Sequence, residues 1–495
     1  MEFDRTSGVF LHLTSLPGPH GIGDLGDGAR EFLSFLDTAE QTYWQFCPLG
    51  PTSAAHGNSP YQSFSAFAGN PLLISLDRLV DDGWLTDGDL EPVPDFDPHT
   101  VEYERVAEYK RDKLRAAYER FDETATEDDR AALEAFRESE PWVEEYALFR
   151  ALKQKHDGVA WIDWPEPIRT RDPGALDEAR EELSEEIEYR VLVQYWFDKQ
   201  WNAFKADAED AGIKLVGDVP IYVGLDSADV WASPEAFQLD DQNRPTAVAG
   251  VPPNSGDDGQ KWGNPLYDWG TLADNDYDWW ARRLERLFGQ VDVTRLDHFQ
   301  GFLEYWAIPT HADSAAEGEW RDGPAYDFFE TIRDRLGELP FIAEDLGFPD
   351  EELTALMDQF GFPGMRVPQY ADWCQDGNAH QPMHYPKNAV GYTATHDTNT
   401  FQGYYTDLGD RQRECLHYNL GVDGDDIHWS IIEAVWRSDA VLAFTTMQDL
   451  LALDSHARFN TPGTAEGNWA WRVTSDGLDE DVATKLGTMT MIELR

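Results

Sequence analysis

Eight short β-prone runs recur along the chain, and most are followed by a helical pattern before the next begins. They are Ser7–Leu13, Tyr43–Leu49, Ile213–Val223, Val291–Leu296, Phe341–Leu346, Gly364–Tyr370, Ala389–Asp397 and Val441–Met447. Strands that alternate with helices must lie parallel, and eight of them close into a barrel. The sequence therefore predicts an α/β chain folded as a (β/α)8 TIM barrel. A doubly wound nucleotide fold lacks its signature, since no Gly-x-Gly-x-x-Gly follows a strand and opens a helix.

The helical patterns are amphipathic in the usual way. Phe32, Leu33 and Leu36 share one face, as do Trp280, Leu284, Leu287 and Phe288, with Gly289 as a stop. Further helices are predicted over Phe328–Leu336, Asp350–Phe360, Arg411–Leu420 and Ile427–Val435. Three regions follow: 1–76 begins the barrel with two strands and a polar loop, 77–210 is a mostly helical insertion, and 211–495 completes the barrel. The insertion is acidic in texture, as in Val101–Tyr109 and Glu182–Gln194, and broken by joints such as Trp161–Pro165. Most of its carboxylates read as a solvated face.

Charge excludes several partners. The chain of 495 residues carries 94 acidic against 39 basic residues, a formal charge of −55, and only ten of the basic residues are lysine. Such a surface repels nucleic acid and anionic membranes. Acidic excess with few lysines resembles the cytoplasmic proteins of salt-loving archaea. Cys47, Cys374 and Cys415 are scattered without paired spacing and predict free thiols in a reducing cytosol. Met1–Arg5 begins charged, with no leader-like apolar segment, and no run is long enough to span a membrane. A cytoplasmic protein, monomeric or weakly homo-oligomeric, is expected.

The chemistry gathers at strand ends. Side chains alternate along a strand, so Arg295 and Asp297 should face inward with Val291 and Val293, at the carboxyl mouth where barrel enzymes work. Asp218 ends the third strand, Glu344 the fifth, and His396 and Asp397 the seventh. A guanidinium beside a carboxylate favours its charged form, as a nucleophile requires. Two carboxylates across a glycosidic bond can run a retaining mechanism, with Asp297 attacking the anomeric carbon and Glu344 as acid and base. Asp397 and His396 would hold the same sugar. A metal site could draw on His298, Glu344, Asp345, His396 and Asp397, but no ligand spacing supports one, and no metal or other cofactor is expected. Asp345 falls on the opposite strand face and reads as structural. The loop around Tyr61, Phe64 and Phe67 reads as packing or binding rather than as a linker.

The chain also resembles the amylomaltases, the 4-α-glucanotransferases or disproportionating enzymes of glycoside hydrolase family 77, nearly end to end. The resemblance rests on Ser15-Leu-Pro-Gly, Gly21-Ile-Gly-Asp-Leu-Gly26, Asn58-Ser-Pro-Tyr-Gln-Ser63, Gly217-Asp-Val-Pro-Ile-Tyr222 and Asp226-Ser-Ala-Asp-Val-Trp231. It continues through Val248–Pro253, Gly259–Tyr267, Arg295–Phe299, Ala343–Gly347, Gly361–Met365, Thr395–Asp397, Arg458–Gly463 and Asn468–Arg472. It implies that Asp297 is the nucleophile, Glu344 the acid/base and Asp397 the transition-state stabiliser. It further implies contacts to α-1,4-glucan donors and acceptors from Tyr61, Asp218, Trp262, Arg295, His396 and Asn460, with no metal, no nucleotide and no C-terminal β-sandwich. Two departures from the family pattern stand out. The run Asn254–Gln260 is short and lacks an aromatic, which bears on the balance of transfer and hydrolysis, and Thr398-Asn-Thr400 stands where a further acidic residue is usual. The competing readings are a retaining α-glucan hydrolase and a glucan-binding protein without catalysis, and the complete Asp297, Glu344 and Asp397 set argues against the second.

Overall fold

The computed structural model describes residues 3–254, 258–347, 350–464 and 466–495. In chain order its strands are β1 (Thr6–Phe10), β2 (Tyr43–Gln45), β3 (Lys214–Pro220), β4 (Ala247–Val251), β5 (Gln260–Pro265) and β6 (Val293–Asp297). They continue as β7 (Glu304–Pro309), β8 (Glu319–Asp322), β9 (Phe341–Ala343), β10 (Gly364–Arg366), β11 (Ala389–Tyr392) and β12 (Leu442–Thr446). Eight of these close a barrel in the order β1-β12-β11-β10-β9-β6-β3-β2. Every neighbouring pair in it is parallel. The (β/α)8 architecture is thus present, built from all eight predicted runs.

The strands are shorter than the runs that predicted them. β9 stops at Ala343 and β11 at Tyr392, so Glu344, Asp345 and Thr393–Asp397 are loop. Leaving the ladder early frees Glu344, His396 and Asp397 to converge over the mouth instead of alternating across the wall. Val216, Val293, Ile342, Met365, Val390 and Leu442 fill the interior together with Tyr43, Tyr392 and Phe444. Gly8 is needed here, because a Cβ on it would lie 2.5 Å from the Tyr43 carbonyl oxygen and 2.6 Å from the Phe444 ring. Val291 does not share the interior with Val293 and Arg295, as the alternation predicted. It precedes β6 and packs in the outer layer with Trp44 and Leu215.

Three further corrections concern the outer shell. The helix Asp278–Gln290 runs through Gly289 and ends only where Val291 turns extended, at φ −133°. Residues between barrel strands also form a four-stranded antiparallel sheet, β5-β4-β7-β8, that strand counting along the chain missed. Cys374 and Cys415 form a disulfide with Cα atoms 5.3 Å apart, against the expectation of free thiols. They are 41 residues apart in sequence, but the loop after β10 folds onto the helix Asp410–Leu420. Gln412 Oε1 accepts from the Trp373 amide at 2.9 Å, and Asn419 donates to the Trp373 carbonyl at 2.6 Å. Cys47 is free and buried. The pairing removes the cysteine argument for a reducing compartment.

Helices dominate between Leu76 and Asp210. The last of them, Ser184–Asp210, lays Trp201 and Phe204 against Phe46 and Trp44 of the barrel wall, with ring centroids 5.7 and 5.4 Å apart. Edge-to-face pairs of this kind add to the burial of some of the largest side chains in the core. Predicted helix ends have visible causes: the Asp350 side chain caps the Leu353 amide at 2.8 Å, and Gly361 ends the same helix at φ 74°. No described helix is long and apolar enough to cross a membrane.

Candidate active site

The carboxyl ends of β3, β6, β9 and β11 bring the predicted residues into one connected site. Arg295 points inward from β6, with Nη1 2.7 Å from Asp218 Oδ2 and 2.8 Å from Asp297 Oδ1. Its Nε faces Met365 Sδ at 3.3 Å on the barrel floor. The Asp218 side chain has no exposed surface, whereas that of Asp297 is 26% exposed at the mouth. Asp218 therefore lies beneath the guanidinium and Asp297 above it, where a substrate can reach. Burial raises the Asp218 pKa to about 6, against the pull of Arg295, and its Oδ1 has no partner among the described residues. Burial also works against the charge of Arg295, but Asp218 and Asp297 outweigh it and keep the guanidinium protonated.

Glu344 occupies a different electrostatic setting. Its Oε2 accepts from the His298 amide and its Oε1 from the Leu346 amide, each at 2.9 Å. His298 adopts φ +54°, the left-handed conformation that turns its amide toward the glutamate. Burial lifts the Glu344 pKa, Arg295 opposes the rise and Asp297 adds to it, with a result of about 7. One carboxylate is thus ion-paired while the other can hold a proton near neutrality, an inequality of the kind that lets two carboxyl groups take different roles.

A third group lies across the mouth. Asn460 donates to Asp397 Oδ1 at 2.5 Å, and His396 Nε2 lies 3.3 Å from Asp397 Oδ2. Burial opposes the Asp397 charge, yet His396, Asn460 and Arg295 together hold its pKa well below the usual carboxylate range. His396 is buried, which works against its charge, but Asp397 more than compensates and raises its pKa. The Tyr61 ring stacks on His396 at 5.0 Å and 21°, and its hydroxyl donates to Asp218 Oδ2 at 2.9 Å. Asp218, Tyr61, His396 and Asp397 are thereby linked in a single chain of contacts. Thr398, at the start of the run that departs from the family pattern, accepts through Oγ1 from the Thr395 amide at 2.9 Å, and Thr395 Oγ1 accepts from the Asp397 amide at 3.3 Å.

Trp262 reaches the site indirectly. It rises from β5, donates to Gln260 Oε1 at 2.9 Å and meets the His298 ring edge-on at 4.9 Å. Asp345 turns away from the mouth, accepting from the Met365 amide at 2.7 Å and pairing with Arg366 at 2.9 Å, as a structural residue should. Of the remaining metal candidates, Glu344, His396 and Asp397 are engaged in hydrogen bonds or ion pairs, while His298 Nε2 is buried without a partner among the described residues; no metal-holding group of His, Cys, Asp and Glu occurs among them. The Asn254–Gln260 run singled out in the sequence lies partly outside the described residues.

Sequence reasoning missed three contributors. His298 was weighed only as a metal ligand, although its amide and ring both face the site. Arg458 donates to the Asp397 carbonyl at 2.7 Å and to the Asn460 carbonyl at 2.8 Å, and its place at the head of the Arg458–Gly463 motif was the available signal. Tyr370 follows β10 with 49% of its surface exposed, and its pKa is raised to about 12 by burial of the hydroxyl and by Asp397 and Glu344 nearby. The β-prone run Gly364–Tyr370 places it at a strand end, whereas β10 stops at Arg366.

Comparison with known proteins agrees with this geometry. The 4-alpha-glucanotransferase model of glycoside hydrolase family 77 matches residues 11–478. A 4-alpha-glucanotransferase of Thermus thermophilus is 44% identical over 501 residues, covering 99% of both chains. One from Streptococcus pneumoniae serotype 4 is 43% identical over 497 residues, covering 99% of this chain and 97% of the other. The amylomaltase of Streptococcus agalactiae, solved in complex with acarbose, superposes with a TM-score of 0.96 at 38% identity over 99% of each chain.

Proposed function

The chain belongs to the 4-alpha-glucanotransferases of glycoside hydrolase family 77, and from that premise we propose that Asp297, Glu344 and Asp397 carry its transfer reaction by double displacement. The enzyme is a transferase acting on α-1,4-glucans. The observation that carries the assignment of roles is the unequal setting of its two carboxylates: Asp297 on Arg295 at 2.8 Å, and Glu344 with its pKa raised to about 7.

On this reading an Asp297 oxygen attacks C1 of the donor while protonated Glu344 gives its proton to the departing glycosidic oxygen. The bond between C1 and that oxygen breaks as the ester between C1 and Asp297 forms. The shortened donor leaves with its new hydroxyl. Glu344, now charged, takes the proton from the 4-hydroxyl of an acceptor glucan, whose oxygen attacks C1 and releases Asp297. Two inversions at C1 restore the α linkage. Asp397, held charged by His396 and Asn460, faces the positive charge that develops on the sugar ring in each transition state. Tyr61, Trp262 and His396 supply ring faces and hydrogen bonds for the glucan, and Asp218 holds Arg295 from below.

The decisive assay is incubation with maltotriose. Transfer yields glucose and a ladder of longer oligomers, whereas hydrolysis alone would yield only shorter sugars. Asp297→Asn should abolish both; an unchanged rate in that variant would refute the assignment of the nucleophile.

All groups named here come from one chain, which supports action as a monomer or weak homo-oligomer. The formal charge of −55 supports adaptation to molar intracellular salt, and with it a cytoplasmic enzyme.

A further inference from the structure

On the barrel flank, between the chain after β12 and the segment leading to the helix Tyr103–Thr124, lies an open cleft of about 520 Å3 that the transfer reaction does not use. Part of its wall is the Asn468–Arg472 stretch, which the catalytic reading left without a part. The chain has more than twice as many acidic as basic residues, yet none of the described residues lining this cleft is a carboxylate. Four of them, His99, His456, Arg458 and Arg472, carry nitrogens that can bear positive charge.

Arg472 forms the floor and is only 3% exposed. Its guanidinium donates to the carbonyls of Leu16 at 3.2 Å, Gly18 at 3.0 Å and Asp97 at 3.3 Å. It makes no ion pair among the described residues, and its Nε has no partner there. Carbonyl dipoles satisfy its donors, while Asp24 and Asp97 act on its charge from beyond ion-pair distance. Arg458 spends Nε and Nη2 on Asn460 and Asp397, leaving Nη1 without a hydrogen bond among the described residues. His99 and His456 are exposed at the rim, where Asp454 engages His456 Nδ1 and leaves Nε2 available. Half-buried Trp471 adds a flat ring to the same wall.

We propose that this cleft binds a phosphate-bearing sugar, its phosphate held by Arg458, His456 and His99 and its ring set against Trp471. Charge selects the class: a neutral sugar needs no such concentration of cations, while a phosphate accepts charge-assisted hydrogen bonds from each of them. The tryptophan selects a sugar over a bare anion, since an apolar sugar face packs on an indole ring. The site also bears on catalysis. Arg458 holds the backbone of the stabiliser Asp397, so an occupant drawing on its guanidinium acts on the catalytic mouth from outside it.

The test uses the full chain in the lowest salt that preserves its circular dichroism, titrated calorimetrically with glucose 6-phosphate, inorganic phosphate and maltose. Glucose 6-phosphate should bind at one site at least tenfold more tightly than either of the others. It should also alter the rate of maltotriose disproportionation, with a midpoint matching its Kd. The double variant His99→Ala/His456→Ala removes only exposed side chains. It should keep the basal rate, weaken glucose 6-phosphate at least tenfold and lose the rate effect. Trp471→Phe should retain the preference over inorganic phosphate and Trp471→Leu should lose it; a preference unchanged in Trp471→Leu would overturn the role of the ring. The proposal is overturned by absence of saturable binding, by equal affinity for inorganic phosphate or maltose, or by an unchanged affinity in the double variant. Inhibition that is competitive with maltotriose and survives in the double variant would place the phosphate in the catalytic mouth and overturn it equally.

Discussion

A single nitrogen of Arg295 serves two carboxylates, with Asp218 2.7 Å below it and Asp297 2.8 Å above. The lower one is sealed from solvent and the upper one faces the mouth. Asp218 thus fixes the position from which the guanidinium meets Asp297, while its own side chain has no exposed surface.

This arrangement makes Asp218→Asn informative. The amide keeps the size and the hydrogen bond to Tyr61 but removes the charge beneath Arg295. We expect kcat to fall by about tenfold to hundredfold, equivalent to about 1–3 kcal/mol of lost charged hydrogen bonding. Differential scanning calorimetry should show the fold retained. An unaltered kcat would mean that Arg295 needs no anchor.

Glu344→Gln separates the two half-reactions. With maltooligosaccharides the rate should fall by on the order of 10^2 to 10^4, the usual worth of a positioned general acid. With an aryl maltoside whose phenolate leaves unprotonated, the first step should survive and a glycosyl ester on Asp297 should accumulate. Mass spectrometry of the quenched enzyme detects that ester, and its absence would count against the division of roles.

The pH dependence follows from the raised pKa of Glu344, about 7 in the free enzyme. The first step needs the protonated acid, so kcat/KM should decline as pH rises through about 7. The same proton affects stability. Between the ordinary glutamate value and about 7 the folded chain holds a proton that the unfolded chain has released, so this group's contribution weakens as pH rises across that window. A kcat/KM profile for maltotriose, measured at constant salt, tests the first statement. In Glu344→Gln the residual activity should lose this limb.

Salt should control stability as well. With a formal charge of −55 the fold is opposed by its own surface, and molar potassium chloride shortens the reach of that repulsion to about 3 Å. The melting temperature should therefore climb as potassium chloride is raised, and dialysis to dilute buffer should unfold the chain. Melting that ignores salt would remove the halophilic reading.

Much of this was legible in the sequence because barrels repeat. Each run that became β1, β2, β3, β6, β9, β10, β11 or β12 carried its own apolar signature, and polar residues just beyond them marked the mouth. What sequence could not give was contact across long separations. Arg458 meets Asp397 at a distance of 61 positions, and Cys374 meets Cys415 at 41. Neither pair leaves a local pattern. The sheet of β4, β5, β7 and β8 escaped for a related reason: its partners come from either side of a barrel strand, so no hairpin motif announces the pairing of β4 with β7. His298 was visible as a residue, but its role lies in a backbone amide turned by a positive φ, which side-chain chemistry does not reveal.

That sheet has an evolutionary consequence. β4 leaves the chain before β6 and β7 after it, and the two are hydrogen-bonded along Ala247–Gly250 and Trp306–Pro309. The wall bearing Trp262 is therefore stapled to the barrel on both flanks of Asp297, with β4 and β5 joined by the link between Val251 and Gln260. Lengthening such a link costs little, since closure entropy grows only with the logarithm of its length. An insertion there would leave every strand of the barrel untouched.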